Sequence, residues 1–147
     1  MGGVGATLLQ MTGNQNGYAW YKATVPTGTT ADIVVTMSAN TFRQGIHAWY
    51  LEADVAISDS DVVDSPPGTA ALATASTADE AVVGMAFGYN ATAISLSGTT
   101  STFDGTQSVD GRSGSWHVNG TAGTVSETVT LTGATLGFAE QLTLVAA

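Results

Sequence analysis

Apolar and polar residues alternate with a period of two along much of this chain, the spacing that puts side chains on opposite faces of a strand. Thr7 to Thr12 is the first such stretch, and Tyr18 to Val25 is the second, with Tyr18, Trp20 and Lys22 on one face. Ala31 to Ser38 is a β-branched run, Ala-Asp-Ile-Val-Val-Thr-Met-Ser. Pro26-Thr27-Gly28-Thr29 supplies turn chemistry between the second and third stretches, so these two are expected to pair as a hairpin. Gly45 to Asp54 predicts another strand, with a bulge near Leu51 where the alternation breaks. Asp59 to Gly68 is polar, carries Pro66-Pro67 and reads as a loop. Ala70 to Val83 is rich enough in alanine for a helix, but Thr74, Ser76 and Thr77 argue against one. It reads as a short strand, a turn at Thr77-Ala78-Asp79-Glu80, and a strand from Ala81 to Tyr89. Further strands are expected at Thr92 to Ser97, Ser113 to Val118, Thr124 to Thr132 and Thr135 to Val145, with a Gly/Ser/Thr/Asp loop from Gly98 to Asp110.

About eight to ten short antiparallel strands at roughly ten-residue spacing predict an all-β fold, a single β-sandwich or jelly-roll-like domain over residues 1–147. The length of 147 residues suits one domain. Met1 to Ala6 reads as a glycine-rich arm. No heptad or solenoid repeat appears, so no coiled-coil shaft is encoded in these residues. Met1-Gly2-Gly3-Val4-Gly5-Ala6 has no basic region followed by an apolar run, so no secretory leader is expected. No apolar stretch is long enough for a membrane helix.

Charge narrows the range of partners. Three Lys and Arg stand against twelve Asp and Glu, for a net charge of −9. Phosphate neutralisation needs clustered cations, so nucleic acid is not an expected partner, and an anionic membrane surface is disfavoured for the same reason. The absence of cysteine excludes disulfides, thiolate metal sites and a cysteine nucleophile.

The candidate chemistry is thin. His47 and His117 lie about seventy residues apart, with no ligand-type spacing to another donor, and read as strand histidines. Glu52, Asp54, Asp59, Asp61 and Asp64 form an acidic cluster, but Asp59-Ser60-Asp61-Val62-Val63-Asp64 fails the EF-hand pattern at Val63 and lacks its glycine. A solvated acidic loop is the expectation there, with no metal and no cofactor. Gly111-Arg112-Ser113-Gly114-Ser115 places its second glycine one position too early for a nucleophile elbow. No catalytic residues are assigned. Trp20, Trp49, Trp116, Tyr18, Tyr21, Tyr50 and Tyr89 are candidates for a sugar-stacking platform. The adjacent pairs Trp20-Tyr21 and Trp49-Tyr50 must each split between two faces, and the tryptophans are expected inside. Asn90-Ala91-Thr92 and Asn119-Gly120-Thr121 match the glycosylation sequon and read as chance.

Three segments carry a resemblance. The run from Tyr21 through Lys22-Ala23-Thr24-Val25-Pro26-Thr27-Gly28-Thr29-Thr30-Ala31-Asp32-Ile33-Val34-Val35 to Thr36 resembles a segment of small β-rich structural proteins of tailed bacteriophage virions. Gly45-Ile46-His47-Ala48-Trp49-Tyr50-Leu51 and Val82-Val83-Gly84-Met85-Ala86-Phe87-Gly88-Tyr89 are similar to strands of the same proteins. The likeness implies a non-enzymatic component of the virion surface, a capsid decoration or tail fibre/tip protein made in the host cytoplasm. It implies self-association, often as trimers, and contacts with other virion proteins, with Met1 to Ala6 and Gly98 to Asp110 as candidate docking features. The rival expectation is a β-sandwich module that binds a host-surface glycan.

Overall fold

The computed structural model describes residues 4–12, 18–25, 32–36, 46–64, 68–98, 101–108 and 111–147, with the backbone alone at 12 and 101–108. The described residues hold ten β-strands and no helix. The chain divides into two compact units, Met1–Gln44 and Gly45–Ala147.

The first unit is built on an antiparallel pair, β1 (Thr7–Thr12) and β2 (Tyr18–Lys22). The expected hairpin partner of Tyr18 to Val25 is therefore replaced. β2 pairs backwards with β1 rather than forwards with Ala31 to Ser38, whose described residues 32–36 join no ladder. The link between β1 and β2 reads Gly13-Asn14-Gln15-Asn16-Gly17, a denser set of turn residues than Pro26-Thr27-Gly28-Thr29, and it lies outside the described residues. The Pro26 turn itself lies outside the described residues.

The second unit opens with residues 46–54, which form no strand ladder and bend at Glu52-Ala53, so the strand expected from Gly45 to Asp54 is absent over those residues. Eight strands follow: β3 (Val55–Asp64), β4 (Thr69–Ser76), β5 (Ala81–Tyr89), β6 (Ala93–Leu96), β7 (Ser101–Ser108), β8 (Gly111–Asn119), β9 (Gly123–Thr132) and β10 (Leu136–Ala146). They form two antiparallel sheets, β3-β10-β5-β8-β7 and β4-β9-β6. First pairs with last, second with next-to-last, and third with sixth: β3 with β10, β4 with β9, β5 with β8. That nesting is the order of a jelly roll. The fourth nested pair is replaced, because β7 continues the larger sheet beside β8 instead of joining β6. The sandwich expected from strand spacing is thus present, and so is the division of Ala70 to Val83 into strand, turn and strand.

Two segments read as loops contribute strands, and Pro66-Pro67 of the first lies outside the described residues. Asp59 to Gly68 contributes the second half of β3, and Gly98 to Asp110 contributes β7. Both lie at the edges of the five-stranded sheet. An edge strand needs no apolar face on both sides and is protected by polar residues, so polarity there does not signal a loop.

The core between the sheets holds Ala70 and Leu72 of β4, Val129 and Leu131 of β9, Ile94 of β6, Ala86 of β5, Ala139 of β10 and Trp116 of β8. A polar pin crosses this core. Trp116 Nε1 donates to Gln141 Oε1 at 3.1 Å, and Gln141 Nε2 donates to Thr74 Oγ1 and to the Val125 carbonyl, each at 2.9 Å. Gln141, Gly84 and Trp116 stand in register across β10, β5 and β8. Glycine at the middle position leaves the space the indole occupies: a Cβ built on Gly84 would overlap Cε2 and Cζ2 of Trp116.

A second stitch closes the sandwich along one side. β4 is an edge strand whose Ala73 and Ala75 amides do not go to a neighbouring strand. Asp61 Oδ2 accepts from Ala73 N at 2.8 Å, and Asp59 Oδ2 accepts from Ala75 N at 2.7 Å. The two-residue period of β3 matches that of β4, so alternate carboxylates meet alternate amides. Thr143 Oγ1 adds a bond to the Ala75 carbonyl at 2.8 Å. Replacing both Asp59 and Asp61 by alanine is expected to cost about 2 kcal/mol, at about 1 kcal/mol for each partly solvated hydrogen bond. The bared β4 edge should also raise the aggregation rate. Asparagine at both positions keeps an acceptor and should recover most of the loss in urea unfolding. Equal losses for the alanine and asparagine pairs would show that charge, not hydrogen bonding, holds this side.

Candidate docking surface

The distribution of exposed apolar side chains divides the molecule. In the sandwich, β3–β10, Val62 is the only exposed large hydrophobic among the described residues, at 36%. The others are Val4, Leu8, Met11, Tyr21, Val25, Ile33, Val34 and Val35 in the first unit, and Ile46 and Tyr50 just before β3.

The hairpin register explains part of this. Tyr18 and Trp20 lie two apart on β2 and are buried, so they define one face. Leu8 pairs with Tyr21 and Met11 with Ala19 on the other face, where Leu8, Tyr21 and Met11 are 47%, 60% and 69% exposed. A two-stranded hairpin with both faces apolar has one face left to cover. The Ile33-Val34-Val35 run is more unusual. Its three side chains are exposed in succession, at 59%, 81% and 50%. A strand lying on a sheet alternates between faces, so three consecutive exposures belong to a segment resting on no sheet.

Residues 46–51 alternate instead, with Ile46, Ala48 and Tyr50 exposed and His47, Trp49 and Leu51 half-buried. The His47 and Trp49 rings lie 6.2 Å apart between centroids. Burial holds the His47 imidazole below its ordinary pKa, because desolvation disfavours the cation.

The aromatic candidates separate as the adjacent pairs require. Trp20 is buried beside exposed Tyr21, and Trp49 is half-buried beside Tyr50, which is 85% exposed. Trp116 is fully buried and Tyr89 is half-buried. Among these candidates the exposed rings are thus two single tyrosines, one in each unit.

The chemical candidates are dispersed. Among the described residues no three His, Asp or Glu side chains gather around a point that would hold a metal ion. Asp59 and Asp61, expected in a solvated loop, lie on β3 and are engaged on β4, and Asp54 Oδ1 accepts from the Val55 amide at 3.0 Å. Glu80 Oε2 accepts from Thr77 N at 2.7 Å and closes the β4–β5 turn. Hydrogen bonds from the Ser58 side chain and the Thr77 backbone hold the Glu80 carboxyl below the ordinary range. Ser113 and Ser115 are buried mid-strand on β8, which leaves no elbow around them. Asn90 occupies a turn at φ 61°, with its Nδ2 donating to Thr135 Oγ1 at 3.2 Å. A cleft of about 430 Å³ at one end of the sandwich is lined by Gly98, Val118, Thr121, Thr124, Val125 and Ser126, with no ionisable group among them.

Of the expected docking features, residues 4–6 of the arm are exposed and form no strand, while residues 1–3 lie outside the described set. Gly98 to Asp110, expected as a loop, contributes edge strand β7, and residues 99, 100, 109 and 110 lie outside the described set. Residue patterns passed over three structural side chains. Glu127 is 1% exposed on the core-facing row Val125-Glu127-Val129-Leu131, where Oε1 accepts from the Ser97 amide at 2.8 Å and the Thr128 amide at 2.9 Å. Gln141 and Thr143 are fully buried on β10. The alternation of β9 marks Glu127 as inward, and its polarity hides it; β10 is buried on both faces, and its apolar period falls on Leu136, Phe138, Leu142 and Leu144, opposite Gln141 and Thr143. No family model, no curated protein and no solved structure matches this chain.

Proposed function

We propose that this chain is a non-enzymatic structural component of a bacteriophage virion surface, of the capsid-decoration or tail fibre/tip kind, acting by subunit docking through its first unit. The observation that carries the reading is the gathering of exposed apolar side chains in residues 4–50 beside a sandwich that exposes one. Exposed apolar surface of that extent on a β protein is a docking feature or an aggregation hazard, and a sandwich that exposes one large apolar side chain and caps its β4 edge with Asp59 and Asp61 argues against hazard. The virion location rests on the resemblance of the Tyr21-to-Thr36, Gly45-to-Leu51 and Val82-to-Tyr89 segments. Jelly rolls serve in both viral capsids and lectins, so the fold favours neither the virion reading nor the glycan-binding rival. The buried Trp20 and Trp116 count against a stacking platform.

The test is location. Particles purified from the source culture on a density gradient are assayed for this chain by mass spectrometry. Banding with the particles at a fixed ratio to the major capsid protein is the expected result; high copy number means decoration and low copy number a tail component. A chain that stays in the soluble fraction overturns the virion reading, and binding to host polysaccharide is then measured on the same material.

A further inference from the structure

The first unit differs from the sandwich in charge as well as in apolar exposure. Lys22, Arg43 and Asp32 are the charged residues of the first 44, a net charge of +1. The remaining eleven acids and Arg112 give the second unit a net charge of −10. Two copies of this protein therefore repel each other through their sandwiches and meet without that penalty through their first units. A membrane is a poor alternative cover, since the first unit has no basic cluster and the −10 body is repelled by anionic lipid.

We propose that a second copy of this chain covers the first unit, and that the Ile33-Val34-Val35 runs of the two copies pair as an antiparallel, two-fold symmetric strand ladder centred on Val34. This deepens the docking reading above and rests on it. Three observations converge on the segment. It is β-branched, so its side chains favour a pleated ladder. It joins no ladder within its own chain. Its side chains are exposed in succession, so both of its faces are open.

The symmetric register is also the favourable one. Centring on Val34 sets Ile33 opposite the second copy's Val35, a pair of branched side chains of the kind that stabilises ladders. It sets Asp32 opposite Thr36, so no like charges face each other. Residues 32–36 alone are too few for a stable interface, which needs roughly 800 Å² per partner. The exposed Leu8, Met11 and Tyr21 face of the hairpin, with Val4 and Val25, supplies further apolar area in the same unit.

The symmetry makes a sharp test, because residue 34 meets its own copy. Wild type, Val34→Asp and Val34→Lys are run as full-length chains by light scattering across a concentration series. Wild type is expected at twice the 14.8 kDa chain mass. Each variant sets like charges opposite one another and should dissociate, with the dissociation constant raised about 100-fold. An equimolar mixture of the two variants sets Asp against Lys and should restore the dimer. Near-ultraviolet circular dichroism from buried Trp116 checks that each variant keeps its sandwich. A monomeric or trimeric wild type overturns the proposal, as does a dimer indifferent to both variants or a mixture that stays monomeric. Particle banding is read separately: a monomer that bands with particles sinks the self-pairing and spares the virion reading, and a dimer absent from particles does the reverse.

Discussion

Gly84→Ala is expected to destabilise the sandwich by about 3 kcal/mol, at the upper end of the usual cost of overpacking a core. In a unit of this size that lowers the unfolding midpoint by about 15 °C. The cause is local. Gly84 lies between Gln141 and Trp116 on three neighbouring strands, and the indole occupies the place of its missing side chain. Trp116 is fully buried, and its ring nitrogen is tied to Gln141, so the ring has little freedom to swing aside. The backbone must move instead, at the centre of the five-stranded sheet. Trp116→Leu alone opens a cavity and should cost about 3 kcal/mol. The double variant should cost less than the sum by more than 1 kcal/mol, because the new methyl enters the space the indole leaves. Thermal and urea unfolding of the four proteins measures this directly. Additive losses would mean that Gly84 is needed for a reason other than room for Trp116.

The same positions show how far a sequence of this kind can be read. The strand period, the turn residues and the rejection of a helix at Ala70 to Val83 led to the sandwich, because strands such as β4 and β9 bury one face and leave the other exposed or half-buried. β4 is the clearest case: Ala70, Leu72, Thr74 and Ser76 are buried, and the residues between them are exposed. The reading failed where tertiary context replaces the apolar face. The second half of β3 and β7 look like loops since they are rich in polar residues, and both strands are edges, where polar residues are favoured. The carboxylates of Asp59 and Asp61 read as solvated loop groups, whereas they accept from the Ala75 and Ala73 amides of a strand more than ten residues away. No local spacing encodes that contact. The run from Ala31 to Ser38 failed in the opposite sense: its propensity is that of a strand, and its own chain offers residues 32–36 no ladder. A strong local preference unmet within the monomer is the physical basis for placing its partner in a second copy.

Gln141→Met should cost about 3 kcal/mol, a loss close to that of Gly84→Ala but of different origin. Methionine fills nearly the same volume, so packing changes little. Hydrogen bonding changes more. Gln141 accepts from Trp116 Nε1 and donates to the Val125 carbonyl and Thr74 Oγ1, joining β10 to β8 in one sheet and to β9 and β4 in the other. Without the amide, the indole N–H and the Val125 carbonyl remain buried, and each stranded group costs about 1–3 kcal/mol. The Thr74 hydroxyl can rotate and so contributes less. In a Trp116→Phe background one of those groups is already gone, and the loss caused by Gln141→Met should fall by about 1 kcal/mol or more. Gln141→Glu separates acceptor from donor. Ionised, it accepts from the indole but cannot donate to the carbonyl, and its charge is buried; protonated, it donates once. Its folded pKa is therefore raised above the usual value of about 4.3. The variant should match wild type most closely below that pH and lose stability as pH rises toward the folded pKa, in the direction that linkage requires for a raised acid. Urea unfolding of Gln141→Glu from pH 4 to pH 8 tests the point. A stability difference from wild type that stays flat over this range would show that the side chain at 141 has turned out to solvent, and that the two sheets do not depend on this pin to stay in register.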